Sequence, residues 1–317
     1  MGGNPYLAGM NEIPAFLDSE RPDVPDLVVP SGVVPFHLVD APVRGRLVRL
    51  GPLAEALLAR HAHPAPVSAL AGEALALVAC LASGLKFHGS FSLHARGDGP
   101  LRTLAADCTE TGALRFYAAL AEGVPLPADT ALSAGALLGA GHIAFTIDQG
   151  ADRERHQGIV ATHGETLAAM AEHYYVTSAQ LAASLQLACA ATASGWRAGG
   201  LILERLADRP GAESEAAEEG WRTATLLAAT LTEAELLDDR LAPEILLQRL
   251  FHETGIVLGQ PRALAFGCRC SRARLAAILE GFPPHDLDDM AVGGDIVMTC
   301  EFCAIDFRFP RASLGSG

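Results

Sequence analysis

The sequence predicts an α/β (α+β) N-terminal domain, a mostly helical linker and a small C-terminal domain, and three observations carry that division. Apolar and polar residues alternate at Phe87–His94 and again at Ile143–Ile147, while Ala69–Leu85 is apolar on nearly every face. Strands accompanied by an all-round apolar helix are what a helix buried against a sheet requires. A composition break follows at Gly211–Gly220, which is acidic and lacks large apolar side chains. Beyond it, four of the seven cysteines fall into two tight pairs, Cys268 with Cys270 and Cys300 with Cys303.

Residues 1–30 contain Pro5, Pro14, Pro22, Pro25 and Pro30 without sustained periodicity, the pattern of a flexible N-terminal extension. The α/β core domain is assigned to 31–205. In it, Phe87, Phe91 and Leu93 alternate with His88, Ser90, Ser92 and His94, a half-buried strand ending at the turn Asp98-Gly99-Pro100. Ile143, Phe145 and Ile147 mark a second strand. Glu165–Tyr175 and Ala179–Leu187 are expected as helices, and Leu201–Leu206, after Gly199-Gly200, as a closing strand. The linker, 206–258, opens with a solvated acidic stretch. Its helices follow: Trp221–Leu231 is apolar-rich, Thr232 and Glu235 have capping-box spacing, and Pro243 opens a helix through His252. The small domain is assigned to 259–310, with a tail at 311–317.

Charge excludes several functions. With 23 basic against 37 acidic residues the formal charge is −14, which repels phosphate backbones and anionic membranes, so neither nucleic acid nor membrane is expected as a partner. The N-terminus lacks the basic and apolar regions of a secretory signal, and Ala69–Leu85 is short for a span and contains Glu73. A cytoplasmic location is expected. In that reducing setting paired cysteines are ligands or redox groups instead of a disulfide framework. Cys80, Cys108 and Cys189, in apolar or mixed surroundings, are expected as packing residues. No P-loop, complete dinucleotide fingerprint or nucleophile elbow is present, so no enzyme and no catalytic residue is assigned. His61 and His63, followed by Pro64 and Pro66, suit a helix end or turn better than a metal pair. Tyr174, Tyr175 and Trp196 are expected in the core or at a domain interface.

The four paired cysteines suit tetrahedral Zn²⁺, with Zn–S bonds of roughly 2.3 Å. On spacing alone three readings stand open: a redox-labile metal site, a permanent zinc ribbon, and two local disulfides. The single residue between Cys268 and Cys270 departs from the usual structural spacing, and a disulfide across it would close a strained ring, whereas the spacing of Cys300 and Cys303 closes more easily.

Phe266-Gly267-Cys268-Arg269-Cys270-Ser271-Arg272 followed by Cys300-Glu301-Phe302-Cys303 resembles the zinc-binding redox switch of the heat-shock protein 33 family. Gly97–Leu101, Arg155–Val160, Gly164–Ala168, Ala198–Leu201 and Leu250–Glu253 resemble that family's segments in the same order, so the likeness covers roughly residues 40–310. The N-terminal extension has no counterpart in it. The resemblance implies one Zn²⁺ on Cys268, Cys270, Cys300 and Cys303 in the reduced form. On oxidation it implies disulfides Cys268–Cys270 and Cys300–Cys303, zinc release and linker unfolding. The function implied is that of an ATP-independent holdase chaperone active under oxidative stress, with unfolded proteins as partners and a homodimer expected when oxidised. Trp221, Leu231, Leu236, Leu247 and Phe251, with Leu226, Leu227, Leu237, Leu246 and Leu250, supply apolar linker faces that need a partner surface and form the expected switch. A thiol-disulfide oxidoreductase using Cys300 and Cys303, and a structural zinc-ribbon binding module, are the alternatives.

Overall fold

The computed structural model describes residues 26–124, 126, 132–149, 156–206 and 215–314. Segments rich in Val, Ile, Phe and Thr leave backbone groups that only neighbouring chain can satisfy. Here they do so in one eleven-stranded sheet. Its strands are β1 (Val28–Leu38), β2 (Val43–Arg49), β3 (Ser90–Gly97), β4 (Leu101–Thr109), β5 (Ala113–Leu120), β6 (Gly141–Asp148), β7 (His156–Ala161), β8 (Ala183–Thr192), β9 (Gly195–Arg205), β10 (Ile256–Leu258) and β11 (Arg262–Phe266). The order is β7-β6-β3-β4-β5-β11-β1-β2-β9-β8, with β10 beside β1. Most neighbours are antiparallel, whereas β11 runs parallel to β5.

Four helices belong to this body: α1 (Pro52–Leu58), α2 (Ala65–Ser83), α3 (Ala134–Leu138) and α4 (Leu167–Tyr174). Helix α2 buries every residue from 66 to 82 except Ala69 and Glu73, and it packs along β2, β3, β4, β5, β8 and β9. It is long and apolar enough to cross a membrane by composition, but it is the core helix of the sheet. Small residues set its approach: a Cβ on Gly72 would lie 2.2 Å from the Cys189 sulfur, and one on Gly200 3.2 Å from that of Cys80. Burial pushes the Glu73 carboxyl up to about 7, with repulsion from Glu233 adding to it. Nearby, Glu204 accepts hydrogen bonds from Arg44 Nε at 2.6 Å and the Tyr175 hydroxyl at 2.9 Å and pairs with Arg46 at 2.7 Å. Burial alone would raise its pKa, but the two guanidiniums hold it below the usual value.

The linker forms α5 (Glu215–Ala228), α6 (Glu233–Leu236) and α7 (Pro243–Phe251). The α6 cap is the expected box: the Thr232 hydroxyl accepts from Glu235 N–H while Glu235 accepts from Thr232 N–H. Successive residues of a strand face opposite ways. In β9, Gly200 therefore meets α2 while Leu201 and Leu203 turn to the other face, where Ala224, Ala228, Leu231, Leu236, Leu237, Leu246, Leu247, Leu250 and Phe251 cover them. Val34, Phe36, Leu38, Val43 and Leu47 complete that cluster, with the Phe36 and Phe251 rings 5.6 Å apart. Trp221 and Leu227 are half-buried against it. Leu226 departs from expectation: it is 62% exposed, on the outer side of α5.

A second unit begins at Gly267. It holds α8 (Arg272–Glu280), α9 (Pro284–Met290) and the hairpin of β12 (Asp295–Thr299) and β13 (Asp306–Pro310). Leu279, Leu287, Ile296, Phe307 and Phe309 form its small core.

Several expectations are corrected. Ala179–Leu187 is not a helix: a π-helical turn over Tyr175–Ala179 stops at Gln180, which is left-handed (φ 54°), and β8 then pairs with β9 along its length. Local helix propensity loses there to sheet pairing. The first alternating strand starts at Ser90, because Gly89 (φ 114°) turns the chain after Phe87 and His88. Residues 28–30, placed in the extension, are in β1, and 262–266, placed in the small domain, form β11 of the large sheet. Residues 1–25, the start of the acidic stretch and the last three residues lie outside the described residues.

The α2 packing predicts that Gly72→Ala destabilises the protein by about 1–3 kcal/mol through overpacking, and that adding Cys189→Ala recovers most of the loss. Urea unfolding of the two single variants and the double variant measures it; additive effects would contradict the contact.

Candidate metal centre

Two local structures deliver the sulfurs. Cys268 and Cys270 lie between β11 and α8, just before Ser271, whose hydroxyl caps α8 by accepting from Arg274 N–H at 3.1 Å. Cys300 and Cys303 occupy the β12–β13 turn, where Cys300 carbonyl accepts from Cys303 N–H at 3.2 Å and from Ala304 N–H at 2.7 Å. Ala304 is left-handed (φ 52°), a conformation that favours glycine, and it turns the chain so that Cys300 N–H reaches the Ile305 carbonyl at 2.9 Å. Arg272 lies 4.6 Å from the centroid of the Phe309 ring and donates to the Arg308 carbonyl at 2.6 Å, tying the start of α8 to β13.

All four sulfurs lie within 4.8 Å of one another. The shortest separations are 3.3 Å for Cys268–Cys270 and 3.6 Å for both Cys268–Cys300 and Cys270–Cys303. A tetrahedron with Zn–S bonds of roughly 2.3 Å has edges of roughly 3.8 Å, so the set is close to the size that zinc demands. Every one is buried, from Cys303 at 0% exposure to Cys270 at 9%. Protons are shared unevenly among them. The hydrogen bond between Cys268 and Cys270 holds the Cys268 thiol down to about 7, and contacts with Cys268 and Cys270 lower Cys300, while the same contacts raise Cys270 and Cys303. Four thiolates this close repel one another, and a divalent soft cation supplies the charge that lets them ionise together. The donor set therefore fits Zn²⁺.

Elsewhere, Cys80, Cys108 and Cys189 are buried packing residues, and burial pushes the Cys80 thiol up to about 12. The His61 and His63 rings stack 5.3 Å apart beside Phe116 at the turn between α1 and α2, away from any described third ligand. Sequence reasoning missed the arginines of the linker face. Arg49 of β2 donates to the carbonyls of Leu241 and of Glu235, the latter at 2.6 Å; Arg197 of β9 donates to Asp239 at 2.5 Å; Arg205 pairs with Glu218. A lone arginine in an alternating strand carries no signal of a partner that distant.

A family model described as Hsp33 protein matches residues 31–310. The 33 kDa chaperonin of Caulobacter vibrioides (strain NA1000 / CB15N) is 38% identical over 295 residues, covering 88% of this chain and 95% of that protein. The 33 kDa chaperonin of Ectopseudomonas mendocina (strain ymp) is 36% identical over 281 residues, covering 88% and 92%. In fold, the crystal structure of the 33 kDa chaperonin (heat shock protein 33 homolog) from Thermotoga maritima matches with a TM-score of 0.74 at 22% identity, covering 89% of this chain and 96% of that one. A linker-covered sheet ahead of a four-thiol unit, in a chain with such relatives, defines a molecular chaperone. The chain belongs to the Hsp33 family, as the cysteine motif implied.

The cluster predicts that reduced protein retains one equivalent of Zn²⁺, measured by elemental analysis after gel filtration. A Cys300→Ser/Cys303→Ser variant should lose it. Stoichiometric zinc in that variant would contradict the assignment.

Proposed function

We propose that this protein is a redox-regulated, ATP-independent holdase, resting when reduced and zinc-bound and activated by oxidation. The observation that carries the reading is the covalent order of α7, β10, β11 and Cys268: the linker and the thiol cluster are joined by a strand of the large sheet. Zn²⁺ on Cys268, Cys270, Cys300 and Cys303 would hold four thiolates and add its binding free energy to a unit with few core residues.

Oxidation removes the donors in pairs. Cys300 and Cys303 close first, since two intervening residues form a less strained ring than one; their sulfurs lose two electrons to a peroxide, whose O–O bond breaks to give water as two protons are taken up. Cys268 and Cys270 follow in the same way. A unit without its donor set loses its fold, β11 is no longer anchored at its C-terminal end, and α5–α7 leave the sheet. Both apolar faces are then open to unfolded client proteins, and two active copies meeting through them form the oxidised homodimer. No catalytic turnover and no ATP are involved. Protection against aggregation under oxidative stress follows, in a cytoplasm that otherwise keeps the thiols reduced. The oxidoreductase alternative is disfavoured by the placement of Cys300 and Cys303: they lie in the turn of an antiparallel hairpin, whereas a catalytic dithiol of that spacing opens a helix in a βαβ unit.

Peroxide with mild heat should release zinc and switch on suppression of aggregation of a thermally unfolding client, read by light scattering. A permanent ribbon would keep its metal, and activity equal in the reduced form would overturn the reading. Leu236→Glu with Leu247→Glu, at two fully covered positions, should give suppression without oxidant.

A further inference from the structure

We infer that the surface under the linker selects client segments that combine leucine-type side chains with a carboxylate, the carboxylate being read by Arg49, Arg197 and Arg205. This rests on the undocking proposed above and specifies the partner it admits. In the closed state the linker itself has that chemistry. Its leucines fill a trough floored by Val34, Phe36, Val43, Leu47, Leu201 and Leu203. Its polar groups meet arginines projecting from the same sheet face: Asp239 accepts from Arg197 Nε at 2.5 Å, Glu218 from Arg205, and the Glu235 carbonyl from Arg49 Nη2 at 2.6 Å.

Charge complementarity sets the choice of occupant. Residues 215–258 carry nine acids against three arginines, Arg222, Arg240 and Arg249. Arg49 and Arg197 are only 9% and 8% exposed, and Arg49 Nε has no partner among the described residues even with the linker in place. Burial lowers the Arg49 pKa, against the pull of Asp239, Asp238 and Glu244, all of them linker acids. When the linker leaves, these guanidiniums remain among apolar side chains without their counter-charges. A purely apolar segment would leave Arg49 and Arg197 without a counter-charge on binding, which is costly even though Arg197 Nη1 keeps the carbonyls of Ser194 and Trp196, whereas an apolar segment with an Asp or Glu restores a charge-assisted hydrogen bond. The linker thus acts as an internal stand-in for an acidic, leucine-rich client.

The probe is a fluorescein-labelled peptide copying residues 231–251, titrated by anisotropy into the oxidised, zinc-free full-length protein. A second peptide carries Asp239→Asn. The expected result is binding of the first roughly 10-fold or more tighter than the second, with the difference shrinking at high salt. An Arg197→Gln protein should bind both equally; the comparison of the two peptides on unaltered protein stands even if that variant fails to fold. Equal binding of both peptides to a trough that hydrogen exchange shows to be uncovered overturns this inference alone. A trough still covered after oxidation overturns the holdase reading and this inference with it.

Discussion

Strand β11 holds the two halves of the sheet together. On one side it pairs with β5 in parallel, Ala265 beside Ala113 and Phe266 beside Leu114; on the other it pairs antiparallel with β1, Val28 beside Ala265 and Val29 beside Leu264. Without it, β7-β6-β3-β4-β5 and β1-β2-β9-β8 share no ladder among the described residues. The surroundings are shaped to admit it. A Cβ on Gly112, which is itself left-handed (φ 85°), would lie 2.1 Å from the Ala263 carbonyl oxygen, and one on Gly32 would strike Leu264. Arg262 donates to the carbonyls of Ser83 at 3.0 Å and Glu110 at 2.9 Å, fixing the strand's start against the end of α2 and the β4–β5 turn. Its far end runs into Gly267 and Cys268.

In the function proposed above, that placement gives the thiol cluster leverage. Zinc binding in small four-ligand units is worth about 10–16 kcal/mol, as much as the entire stability of a typical domain, about 5–15 kcal/mol. A unit with six large buried side chains besides its cysteines has little apolar burial to hold it without such a term. The linker is held on a finer balance. Its leucines each gain about 1.5–3 kcal/mol on burial, but ordering its backbone costs about 1–2 kcal/mol per residue, so the two terms are of similar size. The arginine contacts add orientation to that docking.

What the sequence discloses is what is local. Two cysteine pairs announce a four-sulfur site because each pair is already close along the chain. Thr232 and Glu235 specify their cap within one turn, and the composition of α2 permits no exposed face. What it hides is non-local. Ala183–Thr192 contains Ala, Leu and Gln, good helix formers, and becomes β8 only because β9 offers it a complete antiparallel edge. Arg262–Phe266 is contiguous in sequence with the cysteine domain, yet its partners lie at residues 28 and 113. The contact of Arg49 with Leu241 spans 192 residues and leaves no periodic trace.

The central claim is that loss of the thiol cluster is transmitted through β11 to the linker. Hydrogen exchange on the full-length protein, reduced with zinc and then oxidised and zinc-free, tests it most directly. The account predicts that amides of β10, β11 and α5–α7 lose protection together on oxidation while α2, β3 and β4 keep theirs. Equal protection of the linker and β11 in both forms would contradict it.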